Sequence, residues 1–230
     1  LYRIIPSTVA EVFLKVSWER KRGSSSVILT ISVEGGGAST GVFDIKLKPG
    51  SPLLKGDTSF TSHVGKISVS WNLAEARYGP GPEPVAGFYV MIGMNSEVGL
   101  VLGDMLRVSA ARSALVRRSE HFSGKGGVVY ETLFRFSDGK PLRNVAIAVG
   151  ENGTGFRVYV DSGMKVEAHN LTWNFRGNQT FTVDGSEVEF MWNAHDWFFG
   201  SGQEPRIATF SFRVTKGSDE ISLFIYGCKD

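Results

Sequence analysis

Apolar and polar residues take turns along most of this chain. Phe43, Ile45 and Leu47 alternate with Asp44, Lys46 and Lys48, and Ile67, Val69 and Trp71 alternate with Ser68 and Ser70. A two-residue period places successive side chains on opposite faces of a strand, so each run predicts a strand with one wet face. The same pattern returns in Phe156, Val158 and Val160, in Val188, Phe190 and Trp192, and in Phe210, Phe212 and Val214. Further strands are expected over 9–18, 27–34, 87–94, 98–102, 115–121, 129–136 and 145–149. Between these runs lie residue pairs that tolerate positive φ, as tight hairpins require: Asp184-Gly185, Asp138-Gly139, Ser162-Gly163 and Asn95-Ser96. One segment breaks the pattern. From Asp104 to Ala111 an N-cap residue precedes good helix formers, which predicts a short helix over a sheet edge or barrel mouth. The stretch 79–84, Gly-Pro-Gly-Pro-Glu-Pro, cannot be strand interior and reads as a stiff connector. Ser24–Ser26, Gly35–Gly37 and Ser201–Pro205 read as loops.

These elements give an all-β fold, an antiparallel β-sandwich or a closed, lipocalin-like β-barrel with one short helix. None of the loops is long enough to link domains, so 230 residues are expected to form a single β domain over 1–230. A chain of that length buries enough surface to need no disulfide or metal staple.

Charge and cysteine usage narrow the setting. The formal net charge is +2, which supplies no broad field for nucleic acid or anionic lipid. The single cysteine, Cys228, excludes an intrachain disulfide and points to a reducing, cytoplasmic compartment. Three N-glycosylation sequons, at Asn152, Asn170 and Asn178, point the other way and carry less weight, because so short a motif arises by chance. No apolar run is long enough for a membrane helix and no signal-peptide pattern is present. The chain begins at Leu1 rather than methionine, which reads as a trimmed fragment and leaves an upstream targeting segment open.

Several blocks, taken in order, carry a family resemblance. They are Ser70-Trp71-Asn72-Leu73, Gly81-Pro82-Glu83-Pro84 with Gly87-Phe88-Tyr89-Val90, Leu102-Gly103-Asp104, and Arg118 with Glu120-His121 and Gly124. Then come the block from Trp173 to Thr180, Val183-Asp184-Gly185, and the block from Trp192 to Phe198. In these the chain resembles a land-plant family known as domain of unknown function 868. The resemblance departs at Asn72, Asn95 and Asn193, where that family usually shows aspartate, and at Ser119, where it shows arginine. It implies no activity, because the family has none to transfer.

Three clusters are candidate sites. His195 and Asp196 lie between Trp192 and Trp197 where a strand gives way to a loop. An imidazole and a carboxylate among indoles can move protons or orient a polar ligand, although Trp192 and Trp197 also suit a core and His195 a backbone cap. Trp173, Arg176 and Asn178 offer a ring, a guanidinium and an amide to a carboxylate, phosphate or sugar; a register-fixing network is the plainer reading. Arg118, Glu120 and His121 share a predicted strand, where a solvated face outweighs a phosphate patch. No nucleotide loop, nucleophile elbow or zinc spacing is present, so neither a metal nor a cofactor is expected.

Three functions follow. The first is a module that binds a small apolar or amphipathic ligand in an aromatic-lined pocket, with Trp173, Arg176, Asn178, Trp192, Asp196, Trp197, Arg118 and Glu120 as contacts. The second is a cofactor-free enzyme of cyclase or isomerase type that uses His195 or His121 as proton carrier. The third is a protein-interaction module working through a sheet edge. An enclosed cavity lined by His195 and Arg176 favours the first two; a filled core with an exposed apolar edge favours the third. Oligomeric state is not readable from the sequence.

Overall fold

A computed structural model of the chain describes residues 1–7, 10–20, 26–34, 42–48, 50–79, 81–124, 126–137, 139–200, 205–216 and 219–229. The expected loops at Ser24–Ser25, Gly35–Gly37 and 201–204, together with Val9, Pro80 and Asp138, lie outside the described residues. Strand dominates, and the chain divides into two compact units, Leu1–Leu115 and Val116–Asp230.

The first unit opens with β1 (Tyr2–Ile5), β2 (Val12–Arg20), β3 (Val27–Val33) and β4 (Val42–Leu47), paired antiparallel in chain order. A 3-10 turn at Pro52–Leu54 leads into β5 (Lys55–Ser62) and β6 (Gly65–Asn72). A small ladder of β7 (Arg77–Tyr78) and β8 (Pro84–Ala86) brackets the proline-rich connector, with Pro84 at the strand's first residue. Next come β9 (Tyr89–Met94), β10 (Glu97–Gly103) and β11 (Arg112–Leu115). The sheet orders are β11-β1-β2-β3-β4 and β10-β9-β6-β5. One buried cluster draws on both: Leu14, Leu29 and Ile31 from the first, Ile67, Val69 and Ile92 from the second. Burying each such side chain favours folding by about 1.5–3 kcal/mol.

The second unit contains β12 (Arg117–Gly124), β13 (Val129–Phe134), β14 (Arg143–Val149), β15 (Phe156–Val160) and β16 (Gly163–Ala168). It continues through β17 (Arg176–Val183), β18 (Ser186–Asn193), helix α1 (His195–Phe199), β19 (Arg206–Lys216) and β20 (Asp219–Lys229). Its sheets run β12-β20-β19-β18-β17 and β13-β14-β15-β16. Phenylalanine rings from both meet: Phe156 of β15 lies 6.0 Å from Phe190 of β18 and 5.1 Å from Phe210 of β19. The one parallel pairing among the described residues joins β12 to β20.

Both units repeat one plan, a four-strand antiparallel meander followed by a second. These are β1 to β4 then β5-β6-β9-β10, and β13 to β16 then β17 to β20. The added strand differs, since β11 lies beside β1 whereas β12 lies beside β20.

Two expectations need correction. Among the described residues every sheet is an open list of strands with two ends, so no closed barrel forms. Asp104 to Ala111 is not helical. The Asp104 carboxylate accepts the N–H groups of Gly87 and Phe88, and Ala111 N donates to Val98 O of β10, so the segment is held at its two ends, at the approach to β9 and on β10. Asp104 therefore has other donors than those of a helix of its own, and the short helix is α1 instead. The turns at Asn95-Ser96 and Asp184-Gly185 have positive φ at both residues, as expected. The turn after β15 lies one residue earlier than expected, at Asp161-Ser162, with Gly163 opening β16.

Candidate functional site

All the sequence-predicted site residues fall in the second unit, at three separate places. The first surrounds the start of β17 and the end of β18. Arg176 pairs in register with Asn193, and its Nε donates to Asn193 Oδ1 at 3.1 Å while the guanidinium stands 5.7 Å over the Phe175 ring. The same Oδ1 accepts from His195 N at 3.1 Å. His195 Nδ1 lies 2.8 Å from Asp196 Oδ1, and both side chains meet solvent. Three rings close a triangle: Phe175 to His195 5.4 Å, His195 to Phe199 5.4 Å, and Phe175 to Phe199 5.7 Å. Phe199 is 50% exposed, and Trp173, two residues before Phe175, is 85% exposed. Exposed aromatic surface edged by polar groups is characteristic of recognition sites.

Trp192 and Trp197 do other work. Trp197 is buried and lines a cavity of about 10 Å³ with Phe122, Phe156 and Phe210. That volume admits about one water molecule, so it is not a ligand chamber. Neither His195 nor Arg176 lines it. Trp192 Nε1 donates to Asn174 O at 2.9 Å, and its ring lies so close to Gly177 that a Cβ there would come within 2.1 Å.

The first unit shows what this constellation is without its additions. Eight-residue β5 and β6 correspond residue for residue to eight-residue β17 and β18. Gly56 pairs with Trp71 as Gly177 pairs with Trp192. Trp71 Nε1 donates to Leu53 O at 2.8 Å, Leu73 N to Leu54 O at 2.7 Å, and Ala74 N to Asn72 Oδ1 at 3.2 Å. In the second unit Ala194 N donates to Phe175 O at 2.7 Å, completing the same set. The Trp-Asn-Gly framework is thus a way of ending a hairpin. Where the first unit has Leu54, Ala74 and Ala76, the second has Phe175, His195 and Trp197. The departures at Asn72 and Asn193 keep the oxygen that a carboxylate would offer, so the turn survives them. Asn95 differs, because its Nδ2 donates to Val64 O at 3.2 Å and aspartate lacks that donor.

The second place is internal. Arg118 and Glu120 face inward from β12, where Glu120 is 14% exposed and accepts from Arg118 Nε, from Tyr130 Oη and, at 2.9 Å, from Thr132 Oγ1. Burial, reinforced by the Glu120 carboxylate, pushes the Tyr130 phenol far above its ordinary range, so it acts as a donor. Each Glu120 oxygen has a partner, and the arrangement ties β12 to β13. The third place is the opposite face of β12, where His121 stacks on Tyr226 at 4.8 Å. From β12 to β18 there are three strand spacings, about 14 Å. His121 and His195 therefore do not share a site. Asn178 is exposed on β17, pointing away from the interior.

Sequence reasoning passed over Phe175, Phe199, Tyr130 and Thr132. The aromatic spacing around Arg176 and His195 signals the first two; the last two belong to a different sheet, and nothing in their local sequence marks them.

The fold and site define an all-β chain of two like units, each built from two antiparallel meanders, with an exposed aromatic and polar surface on the second. The chain belongs to the family described as plant protein of unknown function (DUF868), whose sequence profile matches residues 1–227. No match was found among curated proteins or among solved structures. No helix among the described residues is long and apolar enough to cross a membrane.

Proposed function

We propose that this protein is a binding module whose second unit, a two-sheet β-sandwich, engages its partner on the open surface of Phe175, Arg176, His195 and Phe199, flanked by Trp173. The ring triangle, with Phe199 exposed and Phe175 and His195 partly so, carries this reading, because it is what the second unit adds to a framework the first unit also has. The cavity beside Trp197 supports it, since a volume of about 10 Å³ holds no amphipathic ligand and directs recognition outward. Surface rings with a guanidinium suit a group that is apolar on one side and anionic or hydrogen-bonding on the other.

An amphipathic aromatic anion, 8-anilinonaphthalene-1-sulfonate, is a direct probe. Titrated into labelled protein, it is expected to shift the NMR signals of Phe175, Arg176, His195 and Phe199. Phe199→Ala and Arg176→Ala are each expected to weaken it about tenfold, the equivalent of about 1.4 kcal/mol. Shifts confined to Phe156, Phe210 and Trp197 would instead return recognition to an interior pocket.

A further inference from the structure

Sheet edges invite pairing, and proteins usually blunt them with charge, proline or a covering segment. Most free edges here follow that rule. β4 exposes Asp44 and Lys46, β5 exposes Asp57, β13 exposes Glu131, and β16 carries Lys165 and Glu167. The edge of β10 accepts Ala111 N at Val98 O. β17 departs from it. After Arg176 at its first residue come Gly177, Asn178, Gln179, Thr180, Phe181, Thr182 and Val183, with neither charge nor proline. Where its counterpart β5 has Asp57, β17 has Asn178. Among the described residues its only strand neighbour is β18.

Hairpin geometry shows which amides are available. The two-residue turn at Asp184-Gly185 makes Val183 and Ser186 a hydrogen-bonded pair, and the ladder then alternates, so that Phe181, Gln179 and Gly177 bond to β18. Phe175 O, which accepts from Ala194 N, keeps the same phase. Asn178, Thr180 and Thr182 therefore direct their N–H and C=O groups outward.

We propose that β17 is a docking edge for an extended peptide segment of a partner protein, which adds as a further strand and places an aromatic or large apolar side chain against Phe175 and Phe199, with an acidic residue beside it. This rests on the surface proposed above and names the partner that surface takes. The acidic residue follows from charge complementarity: among the described residues Arg176 is held by the Asn193 amide and the Phe175 ring, and no carboxylate pairs with it. A second copy of this chain fits less well. In a two-fold antiparallel pairing of β17 with itself, the aromatic end of one strand would meet Val183 and Asp184 of the other, and Asp184 is already held by Arg143. Main-chain pairing supplies affinity in such strand addition, and side-chain contacts at the end supply selectivity.

The test pans the full chain against a displayed library of unconstrained twelve-residue peptides, and then remakes the enriched sequences with alternate amides N-methylated. The expected peptides place an acidic residue next to an aromatic one, and lose at least tenfold in affinity on N-methylation of one alternate set. Thr180→Pro, which removes an outward N–H and leaves the β18 ladder intact, is expected to abolish binding. Thr180→Lys, which only charges the exposed edge, keeps the test decisive if the proline variant misfolds, and is expected to weaken binding at least tenfold. Failure to enrich any peptide, or peptides indifferent to both Thr180 variants and to N-methylation, would overturn strand addition. The second outcome, combined with sensitivity to Phe199→Ala, would leave the aromatic surface standing and remove only the edge. Peptides sensitive to Thr180 variants but indifferent to Phe199→Ala would overturn the aromatic placement and keep the strand.

Discussion

A single arginine ties together three parts of the second unit. Arg143, the first residue of β14, donates through Nε and Nη2 to the two carboxylate oxygens of Asp184 at 3.1 and 2.5 Å, and through Nη1 to Asp161 at 3.1 Å. Asp184 lies in the turn between β17 and β18, Asp161 in the turn between β15 and β16, so one side chain braces turns from both sheets. The Arg143 guanidinium holds the Asp184 carboxyl below its ordinary value. A group depressed in the folded state contributes stability above its unfolded value, about 3.9, and that contribution is lost as pH falls through the folded value. Asp104, held low chiefly by the Phe88 N–H, acts in the same direction in the first unit. Urea midpoints are therefore expected to fall between pH 5 and pH 2. Arg143→Met is expected to lower the midpoint at pH 7 and to flatten that acid-side fall; an unchanged pH profile would deny Asp184 its part. Part of this scale is legible in the sequence. Strand alternation alone puts Arg118 and Glu120 on one face of β12 and His121 on the other. It does not reveal Tyr130 and Thr132, because partners across two sheets leave no local trace.

At the scale of elements, the two corresponding hairpins make a paired experiment. A Cβ on Gly56 would come within 2.7 Å of the Trp71 ring, and one on Gly177 within 2.1 Å of the Trp192 ring. Each indole is fixed by its own Nε1 hydrogen bond, so it cannot turn aside freely. Gly56→Ala and Gly177→Ala are each expected to cost about 1–3 kcal/mol in chemical denaturation, the usual range for overpacking. Gly177→Ala is expected to cost more, because its contact is closer. Only Gly177→Ala should also weaken binding at Phe175 and His195. The strands most legible in the sequence are those with one buried face, such as β6, β15, β18 and β19, because burial is what imposes a two-residue period. β5 and β17 hide because few apolar residues mark an inner face: among mostly polar residues stand only Phe60 in β5, and Phe181 and Val183 in β17. β20 lies outside the expected strands although Leu223 and Ile225 are fully buried, while the strand expected over 115–121 is β12 from Arg117 onward, with Leu115 the last residue of β11 and Val116 between them. The helix is not legible in the sequence because Asp104 has the composition of a cap, whereas the N-cap residue of α1 is Ala194, which has no side-chain acceptor, and the acceptor for His195 N comes from Asn193, inside β18.

For the whole molecule, the repeated plan carries the largest consequence. An eight-strand pair of meanders occurs twice, with the Trp-Asn hairpin at the same point of each and the same hydrogen bonds around it. A plan that recurs with its local chemistry intact describes a self-sufficient unit, and each copy has its own buried interior. The second unit also keeps both partners of its parallel pairing, since β12 and β20 lie within it, and Val116 O accepts from Ser222 N at 2.9 Å at its start. A fragment of residues 116–230 is therefore expected to fold by itself, although the sequence pattern suggests a single domain over the full chain. A fragment of this size buries roughly two-thirds of its unfolded surface, enough for a cooperative core. The expected signs are a single denaturant transition and a near-ultraviolet circular dichroism signal from Trp192 and Trp197. Strand-like far-ultraviolet dichroism with no near-ultraviolet signal would mean that secondary structure forms without fixed packing, and that the second copy of the plan is not sufficient alone.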